Sequence, residues 1–509
     1  MPMEIKKDTY SFCELFTRSK CEQAVSLEIN LPDYCSDIKK ILKCTVTAGV
    51  SNVSVAGENV HLSGTVVTRL IYVGENEKID CFEHTDALSC STRVNGMPEN
   101  PMIKAVTKTD YINCRALSQR RISVSGSIGA SVYVYRENKK ELPCSIDSPD
   151  MECKKEKITV SDLICQSEKT FDLSETVALG KEREDIGKIL RSDCRVKLES
   201  KKAVADKLLI KGELCCEILY TDSEKNNITK ICHSMPVSQI LGIGGITDKS
   251  DIELSLSPSQ FTVSAKNDST GRCRLLEMAA RVSAAVRCRQ DKEIELIKDC
   301  YSTKLEVTGD YKTAELYSCA FNGEKEIPFE ETVDFSDSDI NEIKDMWCSG
   351  GECRMTGRGD KAEGECDFLL HGIYTDRSNN FCYTEKNLSA KVGIPLKQKG
   401  DKVSCDCDIT VNSLEWSVSG AGKVKINGTV LLGCYASVCN EKRFLYDIHS
   451  DGKEKEQKYP ALCIYYADAG EKIWDIAKHY NTSEALIKSE NAIKGEKTER
   501  ETMLMISCV

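Results

Sequence analysis

Residues 31–42 read LPDYCSDIKKIL, and a cognate stretch, LGKEREDIGKIL, returns at 179–190, shifted by 148. The same shift carries HLSGTVVTRLIYV (61–73) onto LIKGELCCEILYT (209–221), aligning Gly64 with Gly212 and Tyr72 with Tyr220. A third copy lies 302 residues beyond the first. There Asp339, Ile340 and Ile343 take the places of Asp37, Ile38 and Ile41, and Tyr374 that of Tyr72, while Gly364 falls two residues early. The interval from acid to tyrosine is 35 in all three copies. Self-similarity at a fixed period marks a repeat architecture.

Each repeat closes on another apolar-alternating stretch: RISVSGSIGASVYVY (121–135), EMAARVSAAVRCR (277–289) and VKINGTVLLGCYASV (424–438). Alternation such as Val124, Ile128, Val132 and Val134 predicts half-buried β-strands. The expected fold is therefore mainly β: three tandem antiparallel β-rich repeats, sandwich- or barrel-like, with short helices. One such helix is expected over Asp37–Leu42, where Ile38, Ile41 and Leu42 share a face. Asp37, Asp185 and Asp339 would cap these helices at their N-termini. Boundaries are placed at 1–155, 156–305 and 306–450 for the repeats, 451–460 for a solvated linker (DGKEKEQKYP), and 461–509 for a terminal module.

A chain of 509 residues is too long for one core. No apolar run approaches the roughly 20 residues that span a bilayer, and MPMEIKKDTYSFCELF lacks the apolar core of a signal peptide. A cytoplasmic protein is expected. A net charge of −11 argues against nucleic acid, which wants a basic face. The twenty-eight cysteines are expected to be reduced thiols that pack as small hydrophobes. Their closest spacings, Cys348-x4-Cys353, Cys434-x4-Cys439 and Cys405-x-Cys407, form no paired zinc knuckle, so neither metal nor cofactor is expected. Cys81, Cys232 and Cys382 fall on the strand after each tyrosine-ended strand, as packing positions.

Nothing points to an enzyme. His61, His84, His233, His371, His449 and His479 do not recur at matching positions, and no G-x-S-x-G, H-E-x-x-H or Walker A sequence occurs. LGIGG (241–245) reads as a turn.

The final fifty residues have their own pattern. Cys463–Tyr466 predicts a strand, and Ile473, Trp474, Ile476, Ala477 and Tyr480 follow helical spacing. Asn481 can end that helix in the left-handed conformation. Thr482 or Ser483 can cap a second helix through Ala485, Leu486 and Ile487, and Met503–Ile506 supplies a closing strand. The order is βααβ.

This tail resembles a LysM domain, matching at Gly470, Glu471, Ile473, Trp474, Ile476, Ala477, Tyr480, Leu486 and Asn491. Lys472 stands where the family has threonine, and ERETMLMIS lacks the usual closing motif. The repeats, from LPDYCSDIKKIL and the G-T-V…L-I-Y strand, resemble the SPOCS domains of SipL-type spore morphogenesis proteins. The resemblance implies a non-enzymatic scaffold of spore coat assembly on the mother-cell side. Its LysM would dock on the coat morphogenetic ATPase SpoIVA at the forespore surface, through Tyr466, Gly470, Glu471, Lys472, Ile473, Trp474, Leu486 and Asn491. Trp474 reads either as an exposed hot spot or as cover for a small core. The alternatives are a peptidoglycan or N-acetylglucosamine glycan-binding protein of the cell envelope, and a thiol-based metal buffer.

Overall fold

A computed structural model describes residues 4–224, 227–335, 340–420, 422–456 and 458–508. Six strands make the first repeat: β1 (Glu4–Asn30), β2 (Ile38–Ala56), β3 (Asn59–Gly74), β4 (Ile79–Arg93), β5 (Met102–Ser118) and β6 (Arg121–Asp147). They form two antiparallel sheets, β1-β6-β5 and β2-β3-β4, which enclose Val25, Ile29, Val46, Leu70, Tyr72 and Ile128. Along β6 the alternation puts Ile122, Val124, Ile128, Val132 and Val134 inside.

The second repeat repeats this plan with β7 (Met151–Ala178), β8 (Ile186–Val204), β9 (Lys207–Asp222), β10 (Ile228–Gly242), β11 (Asp251–Asn267) and β12 (Cys273–Ser302). The third uses β13 (Thr308–Asp334), β14 (Ile340–Arg358), β15 (Lys361–Asp376), β16 (Phe381–Pro395), β17 (Lys402–Gly420) and β18 (Lys423–His449). Sheet orders β11-β12-β7 with β10-β9-β8, and β13-β18-β17 with β14-β15-β16, match the first. The antiparallel, mainly β reading holds, and each repeat is a sandwich.

The short helices expected inside the repeats are absent among the described residues. Strand β2 slips register between Ile38 and Lys40 and between Ile41 and Lys43. Strands β8 and β14 slip at the equivalent places, Ile186/Lys188 and Ile189/Arg191, then Ile340/Glu342 and Ile343/Asp345. Each bulge inserts one residue into the pleat. Ile38, Ile41 and Cys44 then pack toward the sandwich core while Leu42 faces the opposite side, and this spacing of three imitates a helix.

Asp37 and Asp185 consequently cap no helix. Asp37 accepts from Arg120 at 2.6 Å, and Asp185 from Arg272 at 2.9 Å and Arg274 at 3.0 Å. Arg120 also donates to the carbonyls of Leu31, Pro32 and Cys35, and Arg274 to those of Gly180 and Arg183. One arginine thus clamps the loop before β2 and the loop before β8. In both repeats that arginine's own carbonyl accepts a backbone bond, from Leu31 and from Leu179. Phe335 makes the same bond to Gly422, so glycine holds the arginine's place in the third repeat. Asp339 lies outside the described residues.

The recurring glycine has a steric cause. A Cβ at Gly64 would sit 1.9 Å from the Gly49 carbonyl oxygen, one at Gly212 2.3 Å from that of Lys197, and one at Gly364 2.0 Å from that of Arg354.

The three sandwiches close into a ring rather than hanging as beads. Ile71, Leu219 and Ile373, equivalent residues of β3, β9 and β15, meet in one apolar cluster with Leu42, Leu190 and Ile79. Ion pairs seal each joint of that ring. Lys188 of the second repeat meets Asp80 of the first, Arg191 meets Asp345 of the third at 2.9 Å, and Lys43 of the first meets Glu385 of the third. Lys43, Arg191 and Asp345 are themselves equivalent, each the first paired residue after the second bulge.

A second junction forms at Asp406 of β17. It accepts from Arg287 of β12 at 3.1 Å, Lys104 of β5 at 3.4 Å and Tyr135 of β6 at 3.3 Å. Burial pushes its carboxyl up, but the charges of Lys104 and Arg287 outweigh this and hold it below the usual carboxylate range. Beyond the sandwiches, the long pairs β1–β6, β7–β12 and β13–β18 run on as arms. Their side chains Tyr10, Leu142, Leu296 and Phe444 share a third cluster.

The tail folds as β19 (Leu462–Ala467), α1 (Ile473–Tyr480), α2 (Glu484–Glu490) and β20 (Thr502–Ser507), the expected βααβ order. Asn481 takes φ 54° and ψ 37°, and the Ser483 hydroxyl accepts from the Leu486 amide, whereas Lys472 offers no side-chain cap. Before it, Glu306 donates to Lys453, and Lys455 to Lys304, along the backbone. No helix among the described residues is long and apolar enough to cross a membrane. All the cysteines are free thiols, but Cys232 is exposed, so packing does not account for every one.

Candidate partner-binding surface

The tail module buries one face of its two-stranded sheet. Ala467, Leu504 and Ile506 point inward and close over Ile473, Ile476, Ala477 and Ile487. Strands alternate, so the intervening residues point out, and here these are also apolar. Ile464 lies opposite Met505 and Tyr466 opposite Met503. Tyr466 is 75% exposed and Ile464 64%, with Leu462, Met503 and Met505 beside them. Neighbouring large apolar side chains in the open mark an interaction surface more often than isolated ones do.

The sheet is held flat against the helices by Asn491. Its side-chain amide donates to the Met505 carbonyl at 2.7 Å and accepts from the Met505 amide at 2.7 Å. It also donates to Ile487 at 2.9 Å, which ends α2. Asn491 therefore acts inside the module. Gly470, at φ 88°, turns the chain from β19 toward α1 and donates its amide to the Thr498 carbonyl. Glu471 accepts from the Tyr465 hydroxyl at 2.6 Å and the Asp468 amide at 3.1 Å. Hydrogen bonding to Glu471 pushes the Tyr465 phenol up to about 12. Lys472 is exposed and Leu486 half-buried.

Trp474 and Ile473 do not belong to the open face. Ile473 is buried, and Trp474, 4% exposed, stacks edge-on against Tyr301 with ring centroids 5.0 Å apart. The Trp474 Nε1 donates to Asp299 at 2.9 Å, Lys478 donates to both Asp299 oxygens at 2.8 Å, and Tyr311 donates at 2.9 Å. Tyr301 donates to the Thr482 carbonyl at 2.7 Å. Burial pushes the Asp299 carboxyl up, but the hydrogen bonds from Lys478, Trp474 and Tyr311 prevail and hold it below the usual range. Helix α1 is thus docked on the arm end of β12, which turns the sheet face of the module outward.

Of the eight residues singled out from sequence, the structure brings Gly470, Glu471 and Lys472 together at one loop and sets Tyr466 on the exposed sheet. Ile473 and Trp474 go to the core and the docking contact. Leu462, Ile464, Met503 and Met505 were missed. Their signal was present: LCIYYA and TMLMIS are apolar at nearly every position, yet a module this thin buries only one side of a strand. Elsewhere, the buried His371 lies between Ser349 and Tyr383 and stacks on Trp347. Burial pushes it down to about 4, so it stays neutral. Among the described residues no group of three or more His, Cys, Asp or Glu is arranged to hold a metal ion.

Residues 37–117 and 185–266 match the family model described as SipL, SPOCS domain. Neither a curated protein nor a solved structure matches the chain. The two matched segments begin at the clamped carboxylates Asp37 and Asp185 and run through β2–β5 and β8–β11. The third repeat, whose clamp position is Gly422, has the same strand order without a match.

Proposed function

We propose that this chain is a non-enzymatic scaffold of spore envelope assembly, related to the SipL-type proteins. In this reading the ring of three SPOCS-like sandwiches is a rigid platform, and the tail is a LysM-type module. The module binds a protein rather than a glycan, and its target is the coat morphogenetic ATPase SpoIVA at the forespore surface. The observation that carries the protein reading is the outward sheet face of Leu462, Ile464, Tyr466, Met503 and Met505. A sugar needs converging polar groups, whereas this face offers aromatic and Met surface of the kind enriched at protein interfaces. Scaffold function also fits a body in which Lys43, Asp80, Arg191, Asp345 and Asp406 are engaged in joints between repeats.

The test is co-purification of full-length chain with the ATPase, alongside sedimentation with purified peptidoglycan. Retention of the ATPase by wild type, and its loss with Ile464→Asp plus Met505→Glu, supports the proposal. Sedimentation with peptidoglycan that the double variant does not impair would replace it with the envelope glycan reading.

A further inference from the structure

Thiols meet in pairs across the molecule, among them Cys44 with Cys114 and Cys165 with Cys288, and four further pairs have a sulfur–sulfur contact. Cys21 Sγ lies 2.9 Å from Cys90 Sγ, Cys366 3.1 Å from Cys353, Cys407 3.1 Å from Cys434, and Cys508 3.8 Å from Cys463. Cysteine packing as a small hydrophobe does not require a second sulfur as its neighbour. Cys353 faces Cys366, and Cys407 faces Cys434, directly across antiparallel ladders. Such opposite residues have Cα atoms about 4.5–5.5 Å apart, within the span of a disulfide. Cys21 and Cys90 lie on β1 and β4, which belong to different sheets of the first repeat. Cys463 and Cys508 lie at the open end of the β19–β20 pair, where the Cys508 amide bonds to Ala461.

In each of the three pairs within the repeats, one thiol is buried (Cys21, Cys366, Cys434) and its partner is half-exposed (Cys90, Cys353, Cys407). That asymmetry divides the two steps of disulfide formation between the partners. An oxidant reaches the outer sulfur, and the inner one, held against it and shielded from solvent, completes the bond.

We propose that these four pairs are oxidation sites that close intrachain disulfides on exposure to a peroxide-class oxidant. The outer thiol gives up its proton, its thiolate attacks a peroxide oxygen, the O–O bond breaks, and the hydroxide released takes that proton to leave as water beside the sulfenic acid. The inner sulfur, losing its proton, then attacks the sulfenyl sulfur. The S–O bond breaks, the S–S bond forms, and a second water leaves. Two thiols are oxidised as one hydrogen peroxide is reduced. At Cys353 the S–H groups of Cys366 and Cys407 favour the thiolate and hold it below the usual thiol value. In the Cys407–Cys434 pair hydrogen bonding instead lowers the buried Cys434 and raises Cys407, so there the inner sulfur is the thiolate that reacts first. The bonds would tie the two sheets of the first repeat, brace two ladders of the third, and clasp the tail module at its ends.

The experiment treats reduced, full-length protein with hydrogen peroxide, blocks the remaining thiols by alkylation, and maps peptides without reductant. The expected map contains Cys21–Cys90, Cys353–Cys366, Cys407–Cys434 and Cys463–Cys508 links. The thermal midpoint rises with oxidation and returns on adding dithiothreitol. The exposed Cys232 is alkylated before oxidation and serves as the internal control. In a Cys508→Ser variant the Cys463 link disappears and the other three persist. A map lacking these links, or showing their sulfurs only as sulfinic acids, overturns the proposal. Binding of the ATPase is a separate readout, so either reading can fail without the other.

Discussion

The indole of Trp474 donates to the carboxylate of Asp299 at 2.9 Å across 175 residues of chain, and this contact fixes which face of the tail module is free. With Lys478 and Tyr311 on the same carboxylate, the docking site is a charge-assisted network at the end of β12. Its consequence is functional: the helix carrying the aromatic that reads as a hot spot is covered, and the sheet becomes the available surface.

Replacing Asp299 by Asn removes the charge and leaves a near-isosteric amide. Hydrogen bonds to a charged group contribute about 1.5–3 kcal/mol, so docking should weaken by about 2 kcal/mol. Hydrogen exchange should quicken in α1 and at Cys300–Ser302 while the sandwiches keep their protection. The pH dependence has a fixed sign. Asp299 is held below its ordinary value, so its contribution is present above the unfolded value of about 3.9 and is lost as pH falls through the lower folded value. The protection of α1, corrected for the intrinsic exchange rate at each pH, should therefore fall on acidification below that point in wild type, and much less in Asp299→Asn.

Arg191 and Asp345 carry the joint between the second and third repeats, with Asp345 1% exposed. Removing one partner of a buried pair costs about 3–5 kcal/mol when the other charge is left unpaired; here Arg191 keeps Asp193 and Glu217, which reduces that cost. Asp345→Ala should still lower the urea midpoint. Adding Arg191→Met should recover part of the loss, since an apolar pair does not leave a bare charge. A single Asp345→Ala with an unchanged midpoint would remove this pair from the account of the ring.

Gly212→Ala places a methyl 2.3 Å from the Lys197 carbonyl oxygen. Overpacking of this kind costs about 1–3 kcal/mol, and here backbone must move. A clear fall in thermal midpoint is expected. Gly242→Ala, where nothing lies within 4 Å of the new methyl, should leave the midpoint nearly unchanged.

Much of this architecture could be read from the sequence because its periodicities are local. The shift of 148 residues located β2 and β3 on β8 and β9, and the alternation at Val124–Val134 located β6. The helical reading of Asp37–Leu42 failed because paired bulges at Ile38/Lys40 and Ile41/Lys43 change a spacing of two into one near three. No single-strand pattern distinguishes the two. The ring was not legible either, since Asp406 meets Lys104 and Arg287 through contacts 302 and 119 residues apart in sequence. At the candidate site, the βααβ order and the role of Asn481 could be read directly. The orientation of Trp474 could not, because its partner Asp299 lies outside the tail module, on β12 of the second repeat.

The most direct test is the affinity of full-length chain for purified SpoIVA, measured by calorimetry for wild type and for Ile464→Asp, Met505→Glu and Lys472→Ala. The account predicts that each change on the sheet face weakens binding at least tenfold, about 1.4 kcal/mol or more. The Lys472 change should have little effect, and all three variants should keep the wild-type melting temperature. Wild-type affinity in both sheet-face variants, or loss of binding only with Lys472→Ala, would contradict it.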